Sequence, residues 1–113
     1  MNNSQLLKGV LQGCVLMVIS KKDVYGYELV QRLQELGFTD IIGGTVYPLL
    51  QKLEKNGQLT SVRKASSEGP TRKYYSITQQ GRDQIGEFVD QWQALETVVN
   101  QIISTKDGDD NGK

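Results

Sequence analysis

The sequence predicts one domain that is mainly α-helical, with a small β-hairpin and a long helix at its C-terminal end. Apolar residues recur at helical spacing in four stretches, which predicts four helices. Between the third and fourth stretches, two short segments rich in β-branched and aromatic residues flank a turn, which predicts the hairpin. A chain of 113 residues suffices for a single core of modest size. We expect this domain over residues 1–105 and a disordered tail at 106–113, where no residue is apolar.

The first two helices are predicted over about residues 5–20 and 25–36. The first has a broad apolar face, so we expect it to be buried on more than one side. Polar residues at 21–23 separate the two helices, and Gly37 provides a stop for the second. The second helix, the connection at 38–44 and the helix that follows it fit a helix-turn-helix with a loose turn.

The third helix is predicted between the glycine pair at 43–44 and Asn56, and its two faces differ in chemistry. The apolar face carries Val46, Leu49, Leu50 and Leu53. The polar face carries Thr45, Tyr47, Gln51, Lys52 and Lys55. Hydroxyl, amide and ammonium groups are the types that contact phosphates and base edges of DNA. The pattern therefore indicates a recognition helix.

Two strands are predicted after this helix, at 58–64 and 71–77, with turn residues at 65–70. Leu59 and Val62 are the expected packing residues of the first strand. A helix followed by a hairpin with basic arms indicates a winged helix-turn-helix fold. In that arrangement the recognition helix enters the major groove and the wing lies along the DNA backbone.

The last helix is predicted over about residues 78–105, with Thr78 as its N-cap. Apolar residues in it alternate steps of four and three, which is typical of a coiled-coil seam. A helix of about 25 residues projects roughly 37 Å at ~1.5 Å per residue, so its apolar surface needs a partner. The first helix can cover one side and a second copy of the protein the other, which predicts a homodimer. The expected dimer contacts are Leu6, Val10, Phe88, Trp92, Leu95, Val99 and Ile102.

The charges are distributed unevenly although the net charge is zero. Between Thr45 and Tyr75, six basic residues stand against two acidic ones, which leaves +4 on this segment and −4 on the rest. A positive pole on the recognition helix and hairpin is the electrostatic pattern of a DNA-binding surface.

Composition disfavours several other classes of protein. The chain has no histidine, which removes the commonest general base and metal ligand, so we predict neither an enzyme nor a metal or cofactor site. The single cysteine, Cys14, cannot form an internal disulfide and is expected in the core. No apolar run approaches the ~20 residues of a membrane span, and no secretory signal is evident. We therefore expect a cytoplasmic protein without a membrane partner.

The predicted partner is double-stranded DNA, and the predicted contacts have alternatives. Tyr47 could bind phosphate or pack against the wing, and Thr45 could cap its helix or touch DNA. Lys55 could touch DNA or do no more than solvate the helix end. Of Tyr25 and Tyr27, one is expected in the core, with Tyr25 outside. The predicted DNA-binding residues are Tyr25, Thr45, Tyr47, Gln51, Lys52, Lys55, Lys64, Arg72 and Lys73.

Four motifs give the chain a clear resemblance to the PadR family of bacterial transcriptional regulators. They are Tyr-Gly-Tyr-Glu-Leu at 25–29, Gly-Thr-Val-Tyr-Pro-Leu-Leu at 44–50, Leu-Glu-Lys-Asn-Gly at 53–57 and Arg-Lys-Tyr-Tyr-Ser-Ile-Thr-Gln-Gln-Gly at 72–81. Each is short, but their order and spacing together are specific. The single C-terminal helix resembles the short subfamily. One departure is the sequence Glu-Gly-Pro-Thr at 68–71, which makes the wing tip less basic than is common in the family.

Within that subfamily the chain is similar to multidrug-responsive repressors, whose dimers enclose a flat pore between paired tryptophans. The resemblance implies that Trp92 lines such a pore and that a planar aromatic or cationic small molecule releases the protein from a palindromic operator. The effector-binding residues implied are Val15, Phe88, Val89, Trp92 and Glu96. In the alternative, Trp92 belongs to a dry dimer core and the regulator has no small-molecule effector. A winged helix that serves as a protein-interaction module is a further alternative.

Overall fold

The computed structural model describes residues 4–66 and 69–105. Within these residues the chain forms four α-helices and three β-strands, which confirms the predicted winged helix-turn-helix with a long C-terminal helix. The predicted tail at 106–113 lies outside the described residues, as do residues 67–68 of the wing. The elements in chain order are α1 (Ser4–Lys21), β1 (Val24–Tyr25), α2 (Gly26–Leu36), α3 (Gly43–Lys55), β2 (Leu59–Ser66), β3 (Gly69–Ile77) and α4 (Gln79–Ser104).

The sheet contains a strand that the sequence did not predict. The strand order is β1-β3-β2, and both pairings are antiparallel. In β1, Val24 pairs with Tyr75 and Tyr25 pairs with Tyr74. Tyr25 was predicted to begin α2, but its backbone is extended, with φ −93° and ψ 165°, and the helix begins at Gly26. A strand of two residues is too short to show a period of its own.

The wing strands extend further toward the tip than predicted, because β2 continues to Ser66 and β3 begins at Gly69. Side chains alternate between the two faces of a strand, so residues three apart point to opposite sides. Leu59 is buried against the core, whereas Val62 is 52% exposed on the outer face, opposite Tyr74. The prediction that Val62 packs inward was therefore wrong.

The core lies where α1, α2, α3 and the inner face of the sheet meet. Each contributes apolar side chains at its predicted spacing, and burial of this surface is the main favourable contribution to folding. Helix α3 begins at Gly43, two residues before the predicted start, so Pro48 lies inside the helix and not in its first turn. The buried members include Leu11, Val15, Leu16, Ile19, Val24, Leu29, Leu33, Val46, Leu50, Leu53, Leu59 and Tyr75.

The end of α3 and the start of α4 are joined by a cluster of hydrogen bonds, which we name the α3–α4 junction. Thr78 Oγ1 donates to the Gly57 carbonyl over 2.7 Å and accepts from the Gly81 amide over 3.0 Å. The second bond confirms Thr78 as the N-cap of α4. Gln80 adds a bond from Nε2 to the Asn56 carbonyl over 2.9 Å. Gly57 has φ +81°, a conformation that glycine adopts without steric cost.

Helix α4 leaves most of its apolar surface uncovered in the single protomer. Within its 26 residues only Gly81 is buried. Near its middle, Phe88 packs on Gly13 of α1 so closely that a Cβ at Gly13 would overlap the ring. Farther along, Leu95 is 57% and Ile102 66% exposed. No helix of the described residues is both long and apolar enough to serve as a bilayer span.

Candidate nucleic-acid interface

Five of the predicted DNA-binding residues meet in one cleft of about 400 Å³, which we name the interface cleft. It lies between the start of α2, the middle of α3 and the middle of β3. Pairing of β1 with β3 brings residue 25 beside residue 74, and Tyr47 and Gln51 of α3 also line the cleft. The predicted residues that line the cleft are Tyr25, Tyr47, Gln51, Arg72 and Lys73.

Three of the wing cations lie against tyrosine rings, one of them Lys73, whose Nζ is 5.4 Å from the centre of the Tyr75 ring. The Arg72 guanidinium lies 4.3 Å from the centre of the Tyr25 ring, and the Lys64 ammonium lies 5.2 Å from the centre of the Tyr74 ring. The two rings themselves meet edge to face, with centroids 5.4 Å apart at 72°. Cation–π contacts of this kind restrict the cations without neutralising their charge. Arg72 and Lys64 therefore remain available to phosphate groups.

Tyr47 is held between two glycines. A Cβ at Gly26 would lie 2.9 Å from Cε1 of the Tyr47 ring, and a Cβ at Gly43 would lie 2.7 Å from Cε2. The ring thus packs on the first residues of α2 and α3, whereas packing on the wing was the alternative considered from the sequence. The side chain is still 42% exposed, so part of it faces the interface cleft.

The other predicted contacts on α3 are placed by its helical period. Thr45, Lys52 and Lys55 are exposed or partly exposed along the helix. Thr45 does not cap the helix, because the N-cap position is Ile42 and no side chain provides a capping bond there. Lys52 and Lys55 lie in the last turn, where cations are favoured by the helix dipole.

The assignment of the two tyrosines at the start of α2 was wrong. Tyr27 is 58% exposed, whereas Tyr25 is half-buried by its contacts with Tyr74 and Arg72. Neither belongs to the core. The error arises because Tyr25 lies in a strand, so its side-chain direction follows the sheet and not the helical period.

Lys73 differs from Arg72 and Lys64 because it is paired with an acid that the sequence had not singled out. Its Nζ lies 2.9 Å from Oε1 of Glu54 on α3, and the hydroxyl of Ser61 on β2 donates to Oε2 of the same carboxylate. We name this arrangement the Glu54–Lys73 bridge. Glu54 occupies the flank of α3 that faces the wing, between its apolar and polar faces.

The bridge favours the charged form of both partners. The hydrogen bond from Ser61, and after it the one from Lys73, lowers the pKa of Glu54. The hydrogen bond to Glu54 raises the pKa of Lys73. With the carboxyl pKa lowered, the bridge is present at neutral pH and is lost as the pH falls through that value. With the ammonium pKa raised, it is lost at the alkaline end as the pH rises through that value.

A second cleft, of about 470 Å³, lies between the first half of α1 and the middle of α4, and we name it the Trp92 cleft. Of the predicted effector-binding residues, it brings together Phe88 and Trp92, along with Leu6, Val10, Phe38 and Leu95. Val15 is completely buried in the core of the protomer, so the prediction that it lines an effector site fails in this structure. Val89 is half-buried and Glu96 is exposed, and neither lines the cleft.

Residues that could support other chemistry are sparse. Among the described residues, no group of three histidine, cysteine, aspartate or glutamate side chains is placed to hold a metal ion. Cys14 is half-buried, and burial raises the pKa of its thiol, which disfavours the reactive thiolate.

Comparison with known proteins agrees with this geometry. Residues 15–87 match the Transcriptional regulator PadR-like family. A Streptococcus transcriptional regulator of known structure is 51% identical, with a TM-score of 0.80 over 88% of this chain and 98% of that one. A PadR-like transcriptional regulator from Bacillus cereus is 47% identical, with a TM-score of 0.80 over 88% of this chain and 96% of that one. An uncharacterized protein of Lysinibacillus sphaericus is 31% identical over 91% of this chain and 96% of its own length. The chain belongs to the PadR-like family of transcriptional regulators.

Proposed function

We propose that the protein is a repressor that binds a near-palindromic DNA operator as a homodimer. The observation that carries the proposal is the interface cleft, where Tyr25, Tyr47, Gln51 and Arg72 converge beside the exposed face of α3. The cleft combines hydroxyl, amide and guanidinium donors, which are the groups that contact phosphates and base edges. Helix α3 would enter the major groove, and Arg72 and Lys64 on the wing would reach the adjacent backbone.

The uncovered surface of α4 supports the homodimer. Trp92 is 43%, Val99 43% and Leu6 of α1 74% exposed. Large exposed apolar side chains arranged along a helix in this way are typical of a protein–protein interface. A two-fold dimer would place two copies of α3 about 34–36 Å apart, one turn of B-DNA, which is why the operator is expected to be near-palindromic.

The first experiment is selection of genomic fragments by the purified protein, followed by affinity measurements at several salt concentrations. We expect one enriched near-palindromic sequence, bound with an affinity that falls steeply with salt because phosphate contacts release counterions. Weak binding that is indifferent to salt, with no enriched sequence, would contradict the proposal. That outcome would favour a protein-interaction module, and capture of partner proteins would follow.

We also propose that a planar aromatic or cationic compound binds the Trp92 cleft in the dimer and releases the operator. Trp92 and Phe88 offer ring faces, and stacking with a cationic ring system would be favourable there. Release requires that the compound bind one arrangement of the dimer more tightly than the other. Asp90 and Glu96 on α4 could provide the acid for a cationic ligand in the dimer.

Ligand binding can be followed through Trp92, the single tryptophan of the chain. We expect a panel of planar cationic dyes at micromolar concentration to quench its fluorescence in a saturable manner. Free tryptophan amide measured with the same dyes corrects for absorption of light by the dye. Unchanged Trp92 fluorescence across the panel would favour a dry dimer core and a regulator without a small-molecule effector.

A further inference from the structure

We propose that Glu54 is a specificity-determining residue, which withholds the charge of Lys73 from the DNA backbone and holds the wing against the recognition helix. The inference rests on the proposed DNA-binding function and deepens it. The sequence motif places two adjacent cations, Arg72 and Lys73, on the wing, and both line the interface cleft. The structure assigns them different roles.

The two cations lie on opposite faces of β3. Arg72 pairs across the hairpin with Lys64, whereas Lys73 pairs with Arg63 on the face that Tyr75 shares. Arg72 rests on the uncharged ring of Tyr25, which leaves its positive charge intact. Lys73 is 2.9 Å from the carboxylate of Glu54, which cancels its charge at short range.

The carboxylate of Glu54 is itself fixed in position. Ser61 donates to one of its oxygens while Lys73 occupies the other, so α3, β2 and β3 meet at a single side chain. Nearer the core, the α3–α4 junction already fixes the base of the wing through Thr78 and Gly57. The Glu54–Lys73 bridge adds a second attachment farther out along the strands, which restricts rotation of the wing about its base.

The effect of Glu54 on folding stability and its effect on DNA affinity differ in size. The side chains of Lys73 and Glu54 are 38% and 31% exposed, and ion pairs at such positions contribute little to folding stability. One additional phosphate contact, in contrast, steepens the dependence of log K on log salt by about 0.9. The charge of Glu54 therefore matters more for DNA binding than for folding.

The two parts of the proposed role act on different quantities: a phosphate contact changes the affinity for every sequence, whereas the orientation of α3 changes the affinity for the operator. A freed Lys73 would strengthen binding to every sequence. A wing no longer attached to α3 would orient the helix less well on the operator. The first effect raises both affinities alike, so the second effect is the one that lowers the ratio of operator affinity to random-sequence affinity.

The test compares Glu54→Gln, Lys73→Gln and the double variant in the full-length protein, with the selected operator and with a random duplex as probes. The glutamine side chain is nearly the same size and still accepts the Ser61 hydrogen bond, but it leaves the Lys73 charge uncompensated. We expect Glu54→Gln to steepen the salt slope on random DNA by about 0.9 per protomer, or about 1.8 for the dimer, and to lower the specificity ratio. Lys73→Gln should abolish this increase in the Glu54→Gln background and change the slope little in the wild-type background.

A matched control is Glu35→Gln, which removes the same charge from a surface glutamate paired with Arg32 on α2. It should leave the slope and the ratio unchanged, whereas a general effect of net charge would alter both. Equal slopes for wild type and Glu54→Gln, or an equal effect of Lys73→Gln in both backgrounds, would overturn the inference alone. Absence of salt-dependent binding by the wild-type protein would overturn the proposed function and this inference with it.

Discussion

Replacement of Gly81 by alanine should lower the free energy of unfolding by about 2 kcal/mol. A Cβ at this position would overlap the carbonyl oxygen of Gln58 and lie 2.6 Å from Cδ1 of Ile77. The oxygen belongs to the backbone between α3 and β2, where it accepts a hydrogen bond from the Thr78 amide, so it cannot move aside as a side chain would. Overpacking of this kind costs about 3 kcal/mol, and the better helix propensity of alanine offsets up to about 1 kcal/mol.

The matched control for this prediction is on the same helix. A Cβ at Gly86 meets nothing within 4 Å, so Gly86→Ala should gain the helix propensity alone and stabilise the protein by up to about 1 kcal/mol. Thermal or urea unfolding at a fixed protomer concentration measures both variants. Equal stabilities for the two variants would show that α4 can shift away from Gln58. The conclusion that the α3–α4 junction is rigid would then be wrong.

Replacement of Arg72 by alanine should weaken operator binding about 30- to 140-fold. A charge-assisted hydrogen bond to phosphate is worth roughly 1–1.5 kcal/mol at an exposed site, and a two-fold dimer loses two of them. The salt slope should fall by about 0.9 per protomer. Lys52→Ala should weaken binding in the same direction, because Lys52 is exposed near the end of α3. Titration of labelled operator at several salt concentrations gives both quantities.

Two controls separate lost contacts from lost structure. Arg32→Ala removes an arginine that lines a different cavity, between α1 and α2, and should leave operator affinity unchanged. The free energy of unfolding of Arg72→Ala should differ from that of the wild type by less than about 1 kcal/mol, since Arg72 stacks on the half-buried ring of Tyr25 at the protein surface. Operator affinity that is unchanged in both Arg72→Ala and Lys52→Ala would refute the proposed binding face.

The features that could be predicted from the sequence depend on local chemistry. The period of apolar residues predicted all four helices, and Thr78 followed by a run of helix-forming residues predicted the N-cap. The polar face of α3 was predicted because every residue of a helix has its direction set by the same period. These properties do not require knowledge of distant parts of the chain.

The features that could not be predicted depend on contacts between distant segments. Strand β1 exists because β3, about fifty residues later, pairs with it, and this pairing determines the orientation of Tyr25. The inward direction of Val15 follows from the packing of α1, which is apolar on nearly every side in the sequence. Glu54 had no local signal at all, because its partners Ser61 and Lys73 lie on two different strands.

The α3–α4 junction has a mechanical consequence for the proposed dimer. Thr78, Gln80 and Gly81 join α4 to the end of α3 through side-chain and backbone contacts, so the two helices should rotate as one body. Helix α4 is about 39 Å long at ~1.5 Å per residue. A rotation of about 5° at the junction therefore corresponds to a displacement of roughly 3 Å at the far end of a lever of this length. The angle at which two copies of α4 cross would thus set the distance between the two copies of α3, and a change of a few degrees in that angle would shift them relative to successive major grooves.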